Sequence, residues 1–407
     1  MLRPGHTALT VLLGALIAVA PVAMDVYLPS MPSMTRALAT SAEKVQLTLS
    51  LYMYVWGFSQ LLAGPMSDRY GRKPALLGGL ALFVVASVAC ALSRNIETLI
   101  AARGLQALGM ATVAVVPRAI ARDLYSGERA AHLLALMGMV LGIAPVVAPV
   151  LGSQLHVLLG WQANFAFVAL FGAALLAWVL TALPETLRTR NRDATRPSIM
   201  LRNYLRLLRS RRYVGYLLLA SFGFGGLFAF LAGSSFVFID VMHRSEREFG
   251  LLFACIMLGN ITGALLSSRL GPRLGIDRTI RASSWLMLIA GIAMATLSWA
   301  GVNHPAAIVV PMFAYMVSLM TTMPQAMAGA LTPFADIAGG AAALLSFCQF
   351  LLASTTALLV GIVFDGTSRP MTTAIALAAV LSFASFAGLI HRERSRSVAP
   401  RDRFTSP

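Results

Sequence analysis

Residues 64–74 read Gly64-Pro65-Met66-Ser67-Asp68-Arg69-Tyr70-Gly71-Arg72-Lys73-Pro74, a charged stretch placed where one uncharged interval, 45–67, gives way to another, 74–93. A membrane helix needs about 20 apolar residues to cross roughly 30 Å of hydrocarbon. A short charged segment between two such intervals is therefore the turn between two crossings. Gly71 permits a tight turn, including positive φ. Asp68 is expected at a helix N-terminus, where a carboxylate is favoured. Arg72 has a candidate partner in Asp123, which lies in Arg122-Asp123-Leu124-Tyr125 at the end of the fourth crossing. A loop that is merely basic would need neither the acid nor the glycines.

The rest of the chain repeats this alternation. Of 407 residues 58% are hydrophobic and 12% charged; a soluble domain averages about 25% charged. Too few charges are present to cover a water-facing surface, which excludes an ordinary cytosolic enzyme, a disordered chain and a small secreted domain. Charges instead mark the ends of spans. The interval between Arg3 and Arg36 holds one charge, Asp25. Beyond 74–93, a span over about 97–121 contains Arg103 and Arg118, and the uncharged run 130–184 makes two more, divided at Gly160-Trp161-Gln162-Ala163-Asn164. After the Arg-dense stretch 185–212 come 213–239, 249–268, 282–335 divided near Gly301-Val302-Asn303-His304-Pro305, then 337–364 and 371–391.

The expected fold is thus an all-α polytopic membrane protein of 12 transmembrane helices. Residues 1–184 form an N-terminal six-helix bundle, 185–212 a cytoplasmic linker, 213–391 a C-terminal six-helix bundle and 392–407 a cytoplasmic tail. A sequence trace supports the duplication: Ser268-Arg269-Leu270-Gly271 follows Asp68-Arg69-Tyr70-Gly71 at an offset of 200 residues. Of the 32 basic residues, 24 fall on the side of both termini and the linker, which places that side in the cytoplasm. The net charge of +16 is read the same way, and no nucleic acid is expected as a partner. Cys90, Cys255 and Cys348 have no metal or disulfide spacing and read as apolar fillers.

Three stretches together resemble the major facilitator superfamily. Residues 64–73 resemble its signature loop, G-x-x-x-D-R-x-G-R-K. Arg103-Gly104-Leu105-Gln106-Ala107-Leu108-Gly109-Met110-Ala111 is similar to its helix-four motif, with Ala107 in place of a glycine. Gly138, Gly142, Pro145, Pro149 and Gly152 resemble its helix-five antiporter motif, with Ala144 before the proline and an incomplete terminal glycine pair. Asp25-Val26-Tyr27-Leu28-Pro29-Ser30-Met31-Pro32, Leu183-Pro184-Glu185-Thr186-Leu187 and residues 227–237 resemble the Bcr/CflA drug-resistance branch, although Ser235 stands where that branch commonly has proline. The resemblance implies a drug:H⁺ antiporter of a bacterial inner membrane, exporting small amphipathic compounds in exchange for protons. It also implies a gate built from Gly64, Asp68, Arg69, Gly71, Arg72, Arg122 and Asp123. A metabolite carrier of the same superfamily is the alternative; a channel or membrane enzyme is the more distant one.

The residues themselves carry part of this reading. A charge in mid-bilayer costs about 2.5–3.5 kcal/mol on insertion scales and normally faces a cavity or a partner. Asp25 is accordingly a candidate proton carrier, or a cap near the outer interface, and Arg103 its candidate counter-charge, or a side chain reaching for that interface. The glycines of the fifth span allow close helix approach, and Pro145 and Pro149 favour a bend. Tyr52, Tyr54, Trp56, Gln60, Gln106, Phe228, Asn260, Tyr315, Met316 and Gln349 are candidate cavity residues, suited to an adaptable apolar site. The chain has no phosphate-binding G-x-x-x-x-G-K-[ST] loop and no H-E-x-x-H pair. No cofactor or metal is expected, no catalytic constellation is found, and the transporter is expected to act as a monomer within the lipid bilayer.

Overall fold

The computed structural model describes residues 7–125, 127–187 and 197–391. The tail 392–407 and the linker residues 188–196 lie outside the described residues. Every described element is helical. The first half comprises α1 (Thr7–Asp25), α2 (Met31–Ala37), α3 (Ala42–Tyr70), α4 (Arg72–Ala91), α5 (Ile96–Leu124), α6 (Gly127–Leu159) and α7 (Gln162–Ala182). A short α8 (Pro197–Leu208) precedes the second half: α9 (Arg211–Ser235), α10 (Glu246–Leu274), α11 (Ile276–Trp299), α12 (Ala306–Leu331), α13 (Ala338–Ile362) and α14 (Arg369–Ser385).

Eleven helical spans among the described residues are long and apolar enough to cross a membrane, the first being α1 and α2 taken together as 7–37. The remaining long helix is α3, whose 29 residues extend about 44 Å at 1.5 Å per residue, and it stands where the expected twelfth crossing falls. Helices are the expected solution in hydrocarbon, where each backbone N–H and C=O must be satisfied within its own segment. Large apolar side chains such as Val85, Leu158 and Leu170 are more than two-thirds exposed. In water such a surface would aggregate; in lipid it is the outer wall of a multi-pass membrane protein.

Within the first half, α5 packs on α3 and α4, α4 on α7, and α1 on α5 and α6. The second half repeats this with α9 on α13 and α14, and α12 on α10 and α11. The halves meet along α3 with α13 and α6 with α10.

The turn between α3 and α4 differs from expectation in one respect. Helix α3 runs on through Pro65 to Tyr70, so Asp68 lies in a last helical turn and not at an N-terminus. Gly71, at φ 112°, makes the turn. In the second half α10 likewise runs past Gly271 to Leu274, and Gly275, at φ 74°, makes the equivalent turn. The offset of 200 residues therefore aligns Gly71 one helical turn away from its structural counterpart. The expected linker 185–212 contains α8. Pro145 and Pro149 do not interrupt α6, which is continuous over 33 residues.

Candidate functional site

Polar side chains gather in three constellations within the first half. The first surrounds the break in the first span. Helix α1 ends at Asp25 for a local reason: Pro29 lacks the N–H that the Asp25 carbonyl would receive, and Pro32 does the same to Leu28. The chain continues through a 3₁₀ turn, Leu28–Ser30, and restarts as α2. Such discontinuous helices leave irregular backbone at membrane depth only where protein surrounds it. Here it is held from three sides. Tyr27 and Thr48 of α3 share a hydroxyl contact of 3.3 Å, and Asn164 of α7 donates to the Ser30 hydroxyl at 2.7 Å. Gly152 of α6 packs directly on the Val26 backbone. Asp25 itself is 5% exposed, with no ion pair or hydrogen-bond partner among the described residues.

The second constellation is the Arg103 cage. Arg103 is fully buried. Its guanidinium carbon lies 4.1 Å from the Tyr52 ring centroid, 4.5 Å from that of Tyr27 and 5.8 Å from that of Phe165. It donates to the Ala23 carbonyl at 3.2 Å and to the Gln106 side-chain oxygen; Gln106 donates onward to Ser87 at 2.7 Å. Desolvated cation–π contacts contribute about 2 kcal/mol or more each, so aromatic faces hold this cation where a carboxylate was expected. No ion pair joins Asp25 and Arg103. The candidate counter-charge thus makes no direct ion pair with Asp25 among the described residues, although it reaches the Ala23 carbonyl two residues away. From the cage, rings continue across the molecule, Tyr52 to Trp56 at 6.1 Å, Trp56 to Phe350 of α13 at 4.4 Å, Phe350 to Phe224 at 5.6 Å and Phe224 to Phe228 of α9 at 4.9 Å.

The candidate cavity residues divide accordingly. Trp56 and Phe228 belong to this aromatic bridge, and Gln60 is half-buried on α3. Tyr54 instead shares a 2.7 Å hydroxyl contact with Thr355 of α13. Gln106 is spent on Arg103 and Ser87. Tyr315 donates to the Gly223 carbonyl at 2.9 Å and Met316 packs against Gly259, both fully buried inside the second half. Asn260 and Gln349 donate to the sulfurs of Met257 and Met323. Gln106, Tyr315 and Met316 are thus packing residues rather than the wall of an open cavity.

The third constellation is the turn between α3 and α4. Arg72 donates to Asp123 at 2.8 Å, to the Ser67 hydroxyl at 2.7 Å, and to Asp68 one turn away. The expected pairing of Arg72 with Asp123 is present, and it closes within the first half. Gly64 stands in open space, Arg69 lies over Tyr70 and Arg122 is exposed. Glu185, to which the sequence assigned no role, accepts from the backbone N–H groups of Arg72, Lys73, Thr186 and Leu187 at 2.9–3.2 Å. It supplies the carboxylate at the α4 N-terminus that Asp68 was expected to supply. A Cβ on Gly71 would lie 2.5 Å from the Glu185 carboxylate, so the same glycine serves both the turn and this approach.

At the opposite end the halves are joined by one ion pair and one histidine–carboxylate contact. Arg36 of α2 meets Asp240 at 3.3 Å, and His156 of α6 meets Glu246 of α10 at 3.8 Å. Nothing in the sequence links residues so far apart. The Arg36–Asp240 pair is exposed, with side chains 62% and 41% accessible, so it contributes at most about 1 kcal/mol. An Arg36→Gln variant is expected to raise the population opened at this end by up to about fivefold. Distances between spin labels on α2 and α10 measure it; an unchanged distribution would show that the pair does not hold the halves.

A family model described as Major Facilitator Superfamily matches residues 13–357. The chain is 33% identical to the uncharacterized MFS-type transporter YdgK of Bacillus subtilis, over 94% of this chain and 95% of that one. It is 30% identical to a bicyclomycin resistance protein homolog of Haemophilus influenzae, over 93% and 95% of the two chains. A solved POT family transporter in complex with 5-aminolevulinic acid has the same fold, with a TM-score of 0.77 at 12% identity and 97% of each chain covered. With a broken first span, a caged arginine on α5 and an arginine–carboxylate turn between α3 and α4, this chain belongs to the major facilitator superfamily.

Proposed function

We propose that the protein exports small amphipathic compounds across a bacterial inner membrane in exchange for protons, as a monomer with both termini in the cytoplasm. It does so as a carrier and catalyses no covalent chemistry. The observation that carries this reading is Asp25: a buried acid without a partner, at the point where a membrane helix breaks. Binding and loss of a proton there changes the charge next to an irregular backbone segment that touches α3, α6 and α7. The bicyclomycin-resistance relative supports export of a drug-like compound.

Residues 1–184 and 213–391 are the two bodies that rock against each other. With the termini inside, the Arg36–Asp240 and His156–Glu246 contacts lie at the outer end and hold the halves together there. Arg72, Asp68 and Asp123 stay within one half. They are available to brace the inner end when it closes, with Gly64, Arg69, Gly71 and Arg122 shaping the turn.

Drug susceptibility of a pump-deficient bacterium expressing the chain tests the reading. Bicyclomycin, chloramphenicol, florfenicol and ethidium are suitable probes. The expected result is resistance to at least one compound that disappears when an uncoupler is added. Verified membrane expression with no resistance to any compound, or resistance indifferent to the uncoupler, would count against proton-driven drug export.

A further inference from the structure

Helix α8 has no part in the transport reading. Between residues 197 and 213 the sequence carries five arginines and no acid. The helix ends two residues before α9, whose first turn Ser210 caps by accepting from the Tyr213 N–H at 3.3 Å. Its depth is fixed by its own packing: Leu207 is fully buried in a cluster with Tyr213, Phe334 and Ala341, where α12 gives way to α13. That is the level at which the spans end. Helix α8 therefore lies at the membrane–water boundary.

Its remaining faces are not covered by protein. Leu201, Leu205 and Leu208 are 60%, 49% and 49% exposed, and their i, i+4, i+7 spacing aligns them as one stripe. Arg202, Arg206 and Arg209 form the adjacent stripe, one residue further on in each case. Arg206 lies over Phe334 and Arg212 over Tyr216 at 5.8 Å each. No described residue forms an ion pair with Arg202, Arg209 or Arg211. An apolar stripe flanked by cations, held at headgroup depth, is the physical form of a helix that lies in the interface and selects anionic lipid.

The geometry points to α8 as a binding site for anionic phospholipid, with Leu201, Leu205 and Leu208 in the acyl boundary and Arg202, Arg209 and Arg211 on headgroup phosphates. This site does not depend on what is transported. It anchors the linker to the leaflet at the point where the chain enters its second half.

The test uses the full chain reconstituted in phosphatidylcholine containing a minority of phosphatidylglycerol. The fraction of spin-labelled phosphatidylglycerol held immobile at the protein is compared with that of spin-labelled phosphatidylcholine. Wild type is expected to favour phosphatidylglycerol severalfold, and added salt to reduce the preference. R202Q/R209Q/R211Q is expected to lose most of it, while R269Q/R273Q/R278Q, in the neighbouring turn region, keeps it. Should the first triple variant not fold, R209Q alone gives a partial loss. Equal restriction of the two lipids by wild type overturns the site and leaves the stripe as a docking face for a protein. Equal losses in both triple variants overturn it in favour of diffuse basic charge. Neither result depends on drug export, so failure here and failure of the transport reading are separable.

Discussion

Asp25→Asn is expected to reduce proton-driven export to the level of protein-free vesicles while leaving the protein folded and able to exchange substrate downhill. Asparagine has nearly the same shape as the acid but cannot take up or release a proton in this range. The change breaks no described hydrogen bond or ion pair, because Asp25 has none. The packing that holds the broken span, through Thr48, Asn164 and Gly152, is untouched. The measurement is substrate accumulation in everted vesicles with an imposed pH gradient, alongside counterflow of labelled substrate with no gradient. The expected pattern is loss of the first with survival of the second. Full gradient-driven accumulation by the variant would remove Asp25 from the carrier role. Loss of both activities would make it a residue of binding or folding instead. Asp25→Glu is the companion variant: it keeps the ionisable group, displaced by one methylene, and is expected to retain partial gradient-driven accumulation.

The spans were legible because charges are rare in this chain and each one costs too much to leave in hydrocarbon without a reason. The same logic found Asp25 and Arg103, both charges inside spans, and the pairing of Arg72 with Asp123. It failed where satisfaction comes from something other than an opposite charge. Arg103 is held by the faces of Tyr27 and Tyr52 and by a backbone carbonyl, which no count of acids reveals. Glu185 sits beside a helix start 113 residues earlier in the chain, and only the Pro-Glu-Thr motif hinted at a role. Arg36 and Asp240 lie 204 residues apart at two span ends, and nothing local distinguishes them from solvated charges. Tyr315 and Met316 have the composition of a cavity wall, yet closely approaching glycines of α9 and α10 absorb them into packing.

Gly152→Ala is expected to destabilise the protein by about 1–3 kcal/mol, the range for overpacking a close contact, and to stop gradient-driven export. From sequence, Gly138, Gly142 and Gly152 are equivalent members of one motif. Their surroundings are not equivalent. A Cβ on Gly138 would meet nothing within 4 Å, and one on Gly142 only Ile261, at 3.9 Å. A Cβ on Gly152 would lie 1.7 Å from the Val26 carbonyl oxygen and 2.6 Å from its carbon. Backbone cannot rotate aside as a side chain can, so α6 and the broken segment must separate. The consequence reaches across the molecule. One residue along, the Ser153 hydroxyl and the Pro149 carbonyl face Gly250 of α10, where a Cβ would lie 2.8 and 3.2 Å from them. The same stretch of α6 thus touches the residue after Asp25 on one side and the second half on the other. That places it to pass a change at the acid into movement between the halves. Gly138→Ala and Gly142→Ala are expected to transport and melt like wild type, since a helix-interior alanine is if anything favoured over glycine by about 1 kcal/mol. Thermal unfolding in detergent and vesicle transport, run on all three variants, read the ranking. Equal losses in the three would mean that the motif acts through uniform close packing along α6 and not through Gly152 and the break at Asp25.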